Sequence, residues 1–453
     1  MRKKSLLASG SLLLIVALGV AVKAADAPAT EPPAAPLPPV NPALPVIPSH
    51  DFNLTDYGAV PDGTTLNTDA FTKAIAAISS AGGGRLVVPK GTYLTLPFSL
   101  TSHMDLHLDA GAVIQFPDKL SAYGLPDDAS QATADQIAKL RGDWKALITG
   151  DQLTDVSITG AGTIDGGGSV WWNVASPVGA IRARYGNDRP KLVILSNSSH
   201  LLFQGFTLQN SPMWQLVPTL CHDVTIEQLH VIAPARSPNT DAIDPMSCDN
   251  VLIRDCDLDI GDDNVAIKAI NGPCTNILIE DLRCKHGHGI SIGSETYKGI
   301  HNVTVRNCTF DSTANGIRIK SARDRGNQIY GFRFSDITMK NVTVAITLNM
   351  YYMDRSGGRS RGVMPITDST PYLHDVQITN VTATGSQTAG EIIGLPESPV
   401  KDVILTNVKL EAAKGMTVRD AQGVVFNNVS VTAASGEAIT SDHAEVTVDG
   451  VGK

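Results

Sequence analysis

The chain is short of positive charge: its 453 residues carry 36 Lys and Arg against 45 Asp and Glu, a formal net charge of −9 at pH 7. Nucleic acid and anionic lipid surfaces recruit basic proteins, so this balance argues against both as partners. If the substrate is itself a polyanion, positive charge must be concentrated at the site. Cysteine is scarce too, with six residues all lying between Cys221 and Cys308. An exported chain can form disulfides, but six cysteines leave the pairing open. After Ala21 no apolar run approaches the roughly 20 residues that a spanning helix takes.

What is present at the start reads as a targeting segment. Arg2, Lys3 and Lys4 precede an apolar run from Leu6 to about Ala21, and small residues around Ala24 suit signal peptidase. Residues 1–24 are therefore expected to be a signal peptide, leaving a soluble protein that is secreted or periplasmic. Residues 25–49 are a Pro/Ala-rich linker with nine prolines from Pro28 to Pro48. Proline lacks the ladder N–H and favours extended chain, so this segment is expected to be a stiff tether outside the fold. Residues 50–453 are expected to form the catalytic domain. About 400 residues exceeds one compact core, so an elongated repeat or a second domain is required.

A repeat supplies the answer. A polar or small residue followed by alternating apolar positions opens segments at His200, Asp223, Asn250, Asn276, Asn302 and Gly331, spaced 23, 27, 26, 26 and 29 residues apart. Asp375, Asp402 and Gly423 open three more, and Asn or Asp often stands before the last three residues of a segment. Period-2 alternation of β-branched residues means strands. One period has no room for a crossover helix and is too short for a propeller blade, so stacked coils of a parallel β-helix follow. Cys256 and Cys308 hold one position in coils two apart, about 10 Å at the usual strand spacing. They read as inward packing residues, leaving Cys221, Cys248, Cys274 and Cys284 as disulfide candidates.

A second strand follows each first one: Val265–Lys268, Ile290–Gly293, Ile317–Lys320 and Ala345–Leu348, with Ala242–Pro245 one coil earlier. The residues leading into these strands form a column on one outer face. It presents Asn239-Thr240-Asp241, then Gly261-Asp262-Asp263-Asn264, then Gly287-His288-Gly289, then Arg318 with Lys320. Adjacent carboxyls repel and split their pKa values. That suits acid/base hydrolysis, in which one carboxyl donates and another activates water. Cys284, His286 and His288 lack the partners a zinc site needs, so no metal is expected.

These segments resemble the four signature motifs of the polygalacturonases, glycoside hydrolase family twenty-eight. The resemblance rests on Ser237–Met246, Gly261–Lys268, Gly287–Glu295 and Arg318–Lys320, in the family's order. Gly162–Gly166, Trp171-Trp172, Asn210–Trp214 and Tyr57–Gly63 look like its lesser landmarks. The resemblance implies an all-β, right-handed parallel β-helix of the pectin-lyase-like kind. It implies Asp262 as general acid, with Asp241 and Asp263 holding and deprotonating the attacking water, and inversion at the anomeric carbon. His288 would tune the acid, and Arg318 and Lys320 would bind substrate carboxylates. Tyr352, or else adjacent Tyr351, would line the site, as would Asn239. The expected partner is polygalacturonate in pectin, cut internally by a monomer without a cofactor. A calcium-dependent pectate lyase, an exo-enzyme, a rhamnogalacturonan hydrolase and a non-catalytic polysaccharide-binding β-helix are the competing readings. Arg355, Arg359 and Arg361 crowd a Gly/Ser-rich loop that is expected beside the groove, and residues 117–144 are expected either to wall it or to pack on the coils.

Overall fold

A computed structural model describes residues 36–126, 131–136, 138, 145–175, 189–354, 362–449 and 451–452. The signal segment, residues 25–35 of the linker and the Arg355, Arg359 and Arg361 loop lie outside the described residues.

The polar marks in the repeat turn out to be its corners. Asp223, Asn250, Asn276, Asn302, Asp375 and Asp402 all have φ between 52° and 60°, and a second set before the last three residues, including Asp255, Asp281, Asn307 and Asp336, has φ between 50° and 60°. Most side chains clash in this left-handed region, whereas Asn and Asp tolerate it. The corners also bind each other from coil to coil: Asn302 donates to Asn276 at 3.1 Å and Asn407 to Asn380 at 3.2 Å. Each chain turn is thus fixed twice, by its own backbone preference and by its neighbour.

Between corners the strands pair in parallel. Asp249–Arg254 lies between His222–Glu227 and Cys274–Glu280, Asp257–Ile260 between His230–Ile232 and Arg283–His286, and Val265–Ile267 pairs with Ile290–Ile292. In-register pairing stacks like on like. Val224, Val251, Ile277, Val303, Phe332, Val376 and Val403 form one continuous buried column. The expected strand at Ala242–Pro245 is reduced to single bridges from Ile243 to Leu216 and to Val265.

One sequence expectation needs correction, an open one is resolved, and one element is new. The described part of the linker is no free tether. An extended chain leaves its N–H groups unpaired, and here Asn41 and Val46 donate theirs at 3.1 Å to the corner residues Asn250 and Asp155. No disulfide forms among the four candidates, because all six cysteines are buried in the stack with free thiols. Cys221 and Cys248 instead donate to the Leu195 and Pro218 carbonyls at 3.2 and 3.3 Å. A helix, Thr68–Ser80, was also not foreseen. It buries Ala70, Phe71, Ala74, Ile75 and Ile78 against the first strands, and a solenoid needs such a cap on its open end. Within 117–144, Leu120–Tyr123 forms a 3-10 turn whose Tyr123 meets Trp171 edge-on at 5.2 Å, so this part packs on the coils.

The burial of all six thiols makes a prediction. Protein denatured without reductant is expected to yield six titratable thiols, and reductant should leave the Tm unchanged. Fewer than six, or a Tm lowered by reductant, would show that a bond forms.

Candidate active site

The register gathers residues of four consecutive coils into one cleft of about 250 Å³. Asp262 and Asp263 sit where the chain turns from Asp257–Ile260 into Val265–Ile267, and buried Asn264 pins that turn. Its Nδ2 donates to the Leu258 carbonyl at 3.2 Å, and its Oδ1 accepts from Gly289 N at 2.8 Å. One coil on, Gly287 has φ of 65°, and a Cβ there would lie 2.3 Å from the Asp262 carbonyl oxygen. Glycine alone allows the close approach in which His288 N donates to that carbonyl at 2.8 Å. The His288 side chain then lands on the carboxyls, with Nδ1 at 2.9 Å from Asp262 Oδ1 and 3.5 Å from Asp263 Oδ1.

Strand alternation delivers the cations. Ile317 and Ile319 point inward while Arg318 and Lys320 point at the cleft. Lys320 Nζ donates to Asp263 Oδ2 at 2.7 Å, Arg318 Nη1 to Asp263 Oδ1 at 3.3 Å, and Ser291 Oγ to the same Oδ1 at 2.8 Å. The Lys320 side chain is only 7% exposed. The lysine that the register places on an outer face is therefore covered, as the buried partner of a buried aspartate.

The three carboxyls consequently differ. Burial alone would raise Asp263, yet Lys320, the His288 hydrogen bond and Arg318 together hold it well below the usual carboxylate range. Burial and then the charge of Asp244 push Asp241 well above that range, against the opposing pull of Lys268. Asp262 is the most open of the three, with 22% of its side chain exposed. For His288, burial alone would lower the imidazole, but its bonds to Asp262 and Asp263 outweigh this and raise it to about 9.

Asn239 also reaches the site, through a long 3.5 Å contact from Nδ2 to Asp262 Oδ2. Tyr352 lines the cleft with Arg318, Lys320 and Arg325 over its ring at 5.7, 5.2 and 5.7 Å. Tyr351 is buried away from it against Arg323 and Arg419. Asp262, Asp263 and His288 have ligand atoms within 4.8 Å of one another. The set does not suit a divalent cation, because Asp263 already accepts from Lys320, Arg318 and Ser291, and those two cations would repel another.

Sequence reasoning missed several participants. Arg189 is wholly buried and donates to the Pro212 and Pro238 carbonyls at 2.7 and 2.9 Å and to Asn239 Oδ1 at 2.7 Å, which fixes the amide facing Asp262. It stands apart from every motif and carries no local signal. Lys268 and Asp244 lie inside quoted motifs, where a lysine ending a buried strand and an aspartate flanked by Ile243 and Pro245 could have been noticed. Trp214, with Lys268 Nζ 4.9 Å from its ring, and Glu295 complete the lining.

Comparison with known proteins fits this geometry. The model of the glycosyl hydrolases family 28 matches residues 81–434, and that of the rhamnogalacturonase A/epimerase, pectate lyase-like family matches residues 52–104. A probable polygalacturonase of Vitis vinifera is 33% identical over 404 residues, covering 83% of this chain and 78% of its own. An endo-polygalacturonase of Pectobacterium carotovorum subsp. carotovorum is 31% identical over 366 residues, 77% of this chain and 86% of that relative. Among solved structures, a hyperthermoactive exopolygalacturonase of Thermotoga maritima superposes with a TM-score of 0.67 at 26% identity, covering 91% of this chain and 94% of its own. The protein is a glycoside hydrolase built on the right-handed parallel β-helix. It belongs to the glycosyl hydrolases family 28.

The His288 environment can be tested directly. Ring resonances followed by NMR are expected to report a protonated imidazole at neutral pH that titrates at about 9. Its contribution to stability is then complete below the ordinary value of 6.5 and is lost as pH rises through about 9. A neutral His288 at pH 7 would contradict the assigned pairing.

Proposed function

We propose that this enzyme hydrolyses α-1,4-galacturonosyl links of polygalacturonate in pectin by single displacement with inversion. The observation that carries the reading is Asp263. This carboxylate is held ionised by Lys320, Arg318 and His288, in one cleft with the more open Asp262 and with Asp241. Asp262 is the general acid that protonates the glycosidic oxygen, and His288 at 2.9 Å tunes it. Asp241 and Asp263 hold the attacking water and take its proton, as an inverting pair requires.

Substrate charge explains the cations. An ammonium offers three donors and a guanidinium five. After their contacts to Asp263, Lys320 and Arg318 keep donors for a uronate carboxylate beside Tyr352, and Arg geometry favours a two-point grip. A protein of net charge −9 thus meets a polyanion with its positive charge concentrated at the cleft. A lyase would need an arginine base and calcium, whereas Arg318 is engaged with Asp263.

Cleavage inside the polymer is part of this reading, supported by the 31% identity to endo-polygalacturonases. So is export, which the opening 24 residues and an extracellular polymer both favour. No helix among the described residues is long and apolar enough to cross a membrane.

Asp262→Asn keeps the shape but cannot donate a proton, so kcat on polygalacturonate is expected to fall by about 10² or more while substrate binding persists. The unaltered enzyme is expected to keep its activity after exhaustive chelation and to release saturated reducing ends of mixed length. Turnover of the variant within tenfold of wild type would remove Asp262 from the acid role. Calcium-dependent activity with rising ultraviolet absorbance would replace hydrolysis by elimination.

A further inference from the structure

Behind the cleft lies a second charged group that the proposed chemistry does not use. Asp244 is fully buried, and Lys268 Nζ sits between it and Asp241, 3.3 Å from Asp244 Oδ2 and 3.5 Å from Asp241 Oδ2. The Lys268 and Asp241 side chains are each only 5% exposed. Among the described residues, neither Asp244 Oδ1 nor Asp241 Oδ1 has a hydrogen-bond partner, and Asp244 Oδ2 meets only the Lys268 ammonium. Two carboxyls therefore depend on one ammonium, in a place where an uncompensated charge is costly.

The remaining charged neighbours do not relieve this. Lys320 and Arg318 are committed to Asp263. Asp262, Asp263 and Glu295 add negative charge around the trio, and Glu295 is itself paired to Arg325 at 3.0 Å. Lys191 stands over the Trp214 ring at 5.4 Å, as Lys268 does at 4.9 Å. With one ammonium for two buried acids, the trio must hold one proton until the solution is basic enough to remove it.

We propose that Asp244 is a positioning residue that acts on Asp241 through Lys268, competing for the shared ammonium and so setting the pH at which Asp241 becomes able to accept a proton from water. The inference rests on Asp241 being a water-activating base. Burial pushes both acids up, Asp244 to about 7 and Asp241 well above its ordinary value, as two acids sharing one cation should behave. Asp263 is held low, so Asp241 and not Asp263 governs the acid limb of the activity profile.

The pH dependence of kcat/KM on polygalacturonate tests this with opposite variants. Asp244→Asn removes the competing charge, so the acid limb moves to lower pH. On that flank the variant should retain about tenfold more of its own plateau activity than the wild type does, the factor that one neighbouring charge typically supplies. Lys268→Met removes the ammonium and moves the limb to higher pH. A uniform loss at every pH with the limb unmoved in both variants means that Asp244 and Lys268 only support the fold, and the proposal fails. Asp241→Asn separates the two claims, because turnover retained in that variant removes Asp241 as a base whatever the limbs do. Should the substituted chains not fold, infrared titration of the unaltered enzyme decides. Because Asp262 as general acid carries a proton as well, a second protonated carboxyl band near neutral pH supports the shared proton, and a single band overturns it.

Discussion

In-register pairing of coil upon coil puts Lys320 within 2.7 Å of Asp263, a residue 57 positions earlier in the chain. Every other property of the cleft follows from that alignment. Parallel strands repeat about every 4.8 Å, so corners from successive coils become neighbours, and residues remote in sequence present their side chains to one space. The alignment is secured at the left-handed corners, where Asn and Asp both accept the backbone conformation and bridge to the next coil. A slip of one residue would turn Arg318 and Lys320 inward and bring Ile317 and Ile319 to the cleft.

Burial then makes the side chains unequal. The three cleft aspartates share one residue type but not one environment: Asp263 faces two cations and a serine hydroxyl, Asp241 shares a single lysine with Asp244, and Asp262 meets solvent and a histidine. Such inequality lets like groups take unlike parts in one reaction. It also explains why an acidic protein keeps basic residues under cover at this one place, where they balance carboxylates before any substrate arrives.

Much of this was legible in the sequence because the repeat writes both signals in one pattern. Period-2 alternation marked the strands, and the recurring Asn, Asp or Gly at the segment starts marked the corners, although only the structure shows why those residue types stand there. The column holding Asp241, Asp262, Asp263, His288, Arg318 and Lys320 followed from register alone. What escaped depends on depth or on remote partners. Lys320 looks like any outward strand lysine until its cover is seen. Arg189 reaches Asn239 from 50 positions away. Asn41 and Val46 find the corners of coils more than 100 positions on. The helix Thr68–Ser80 carries its signal in the spacing of Ala70, Phe71, Ala74, Ile75 and Ile78, which lies outside the strand repeat.

The central claim is that the cleft activates one water on the face of the sugar opposite to the proton donor. Proton NMR of the reducing end released in the first turnovers addresses it directly, before mutarotation scrambles the signal. The account predicts the β anomer from the α-linked substrate, because water attacks once and from behind. An α anomer at early times would mean a covalent intermediate on the enzyme, and the roles given to Asp241, Asp262 and Asp263 would be contradicted.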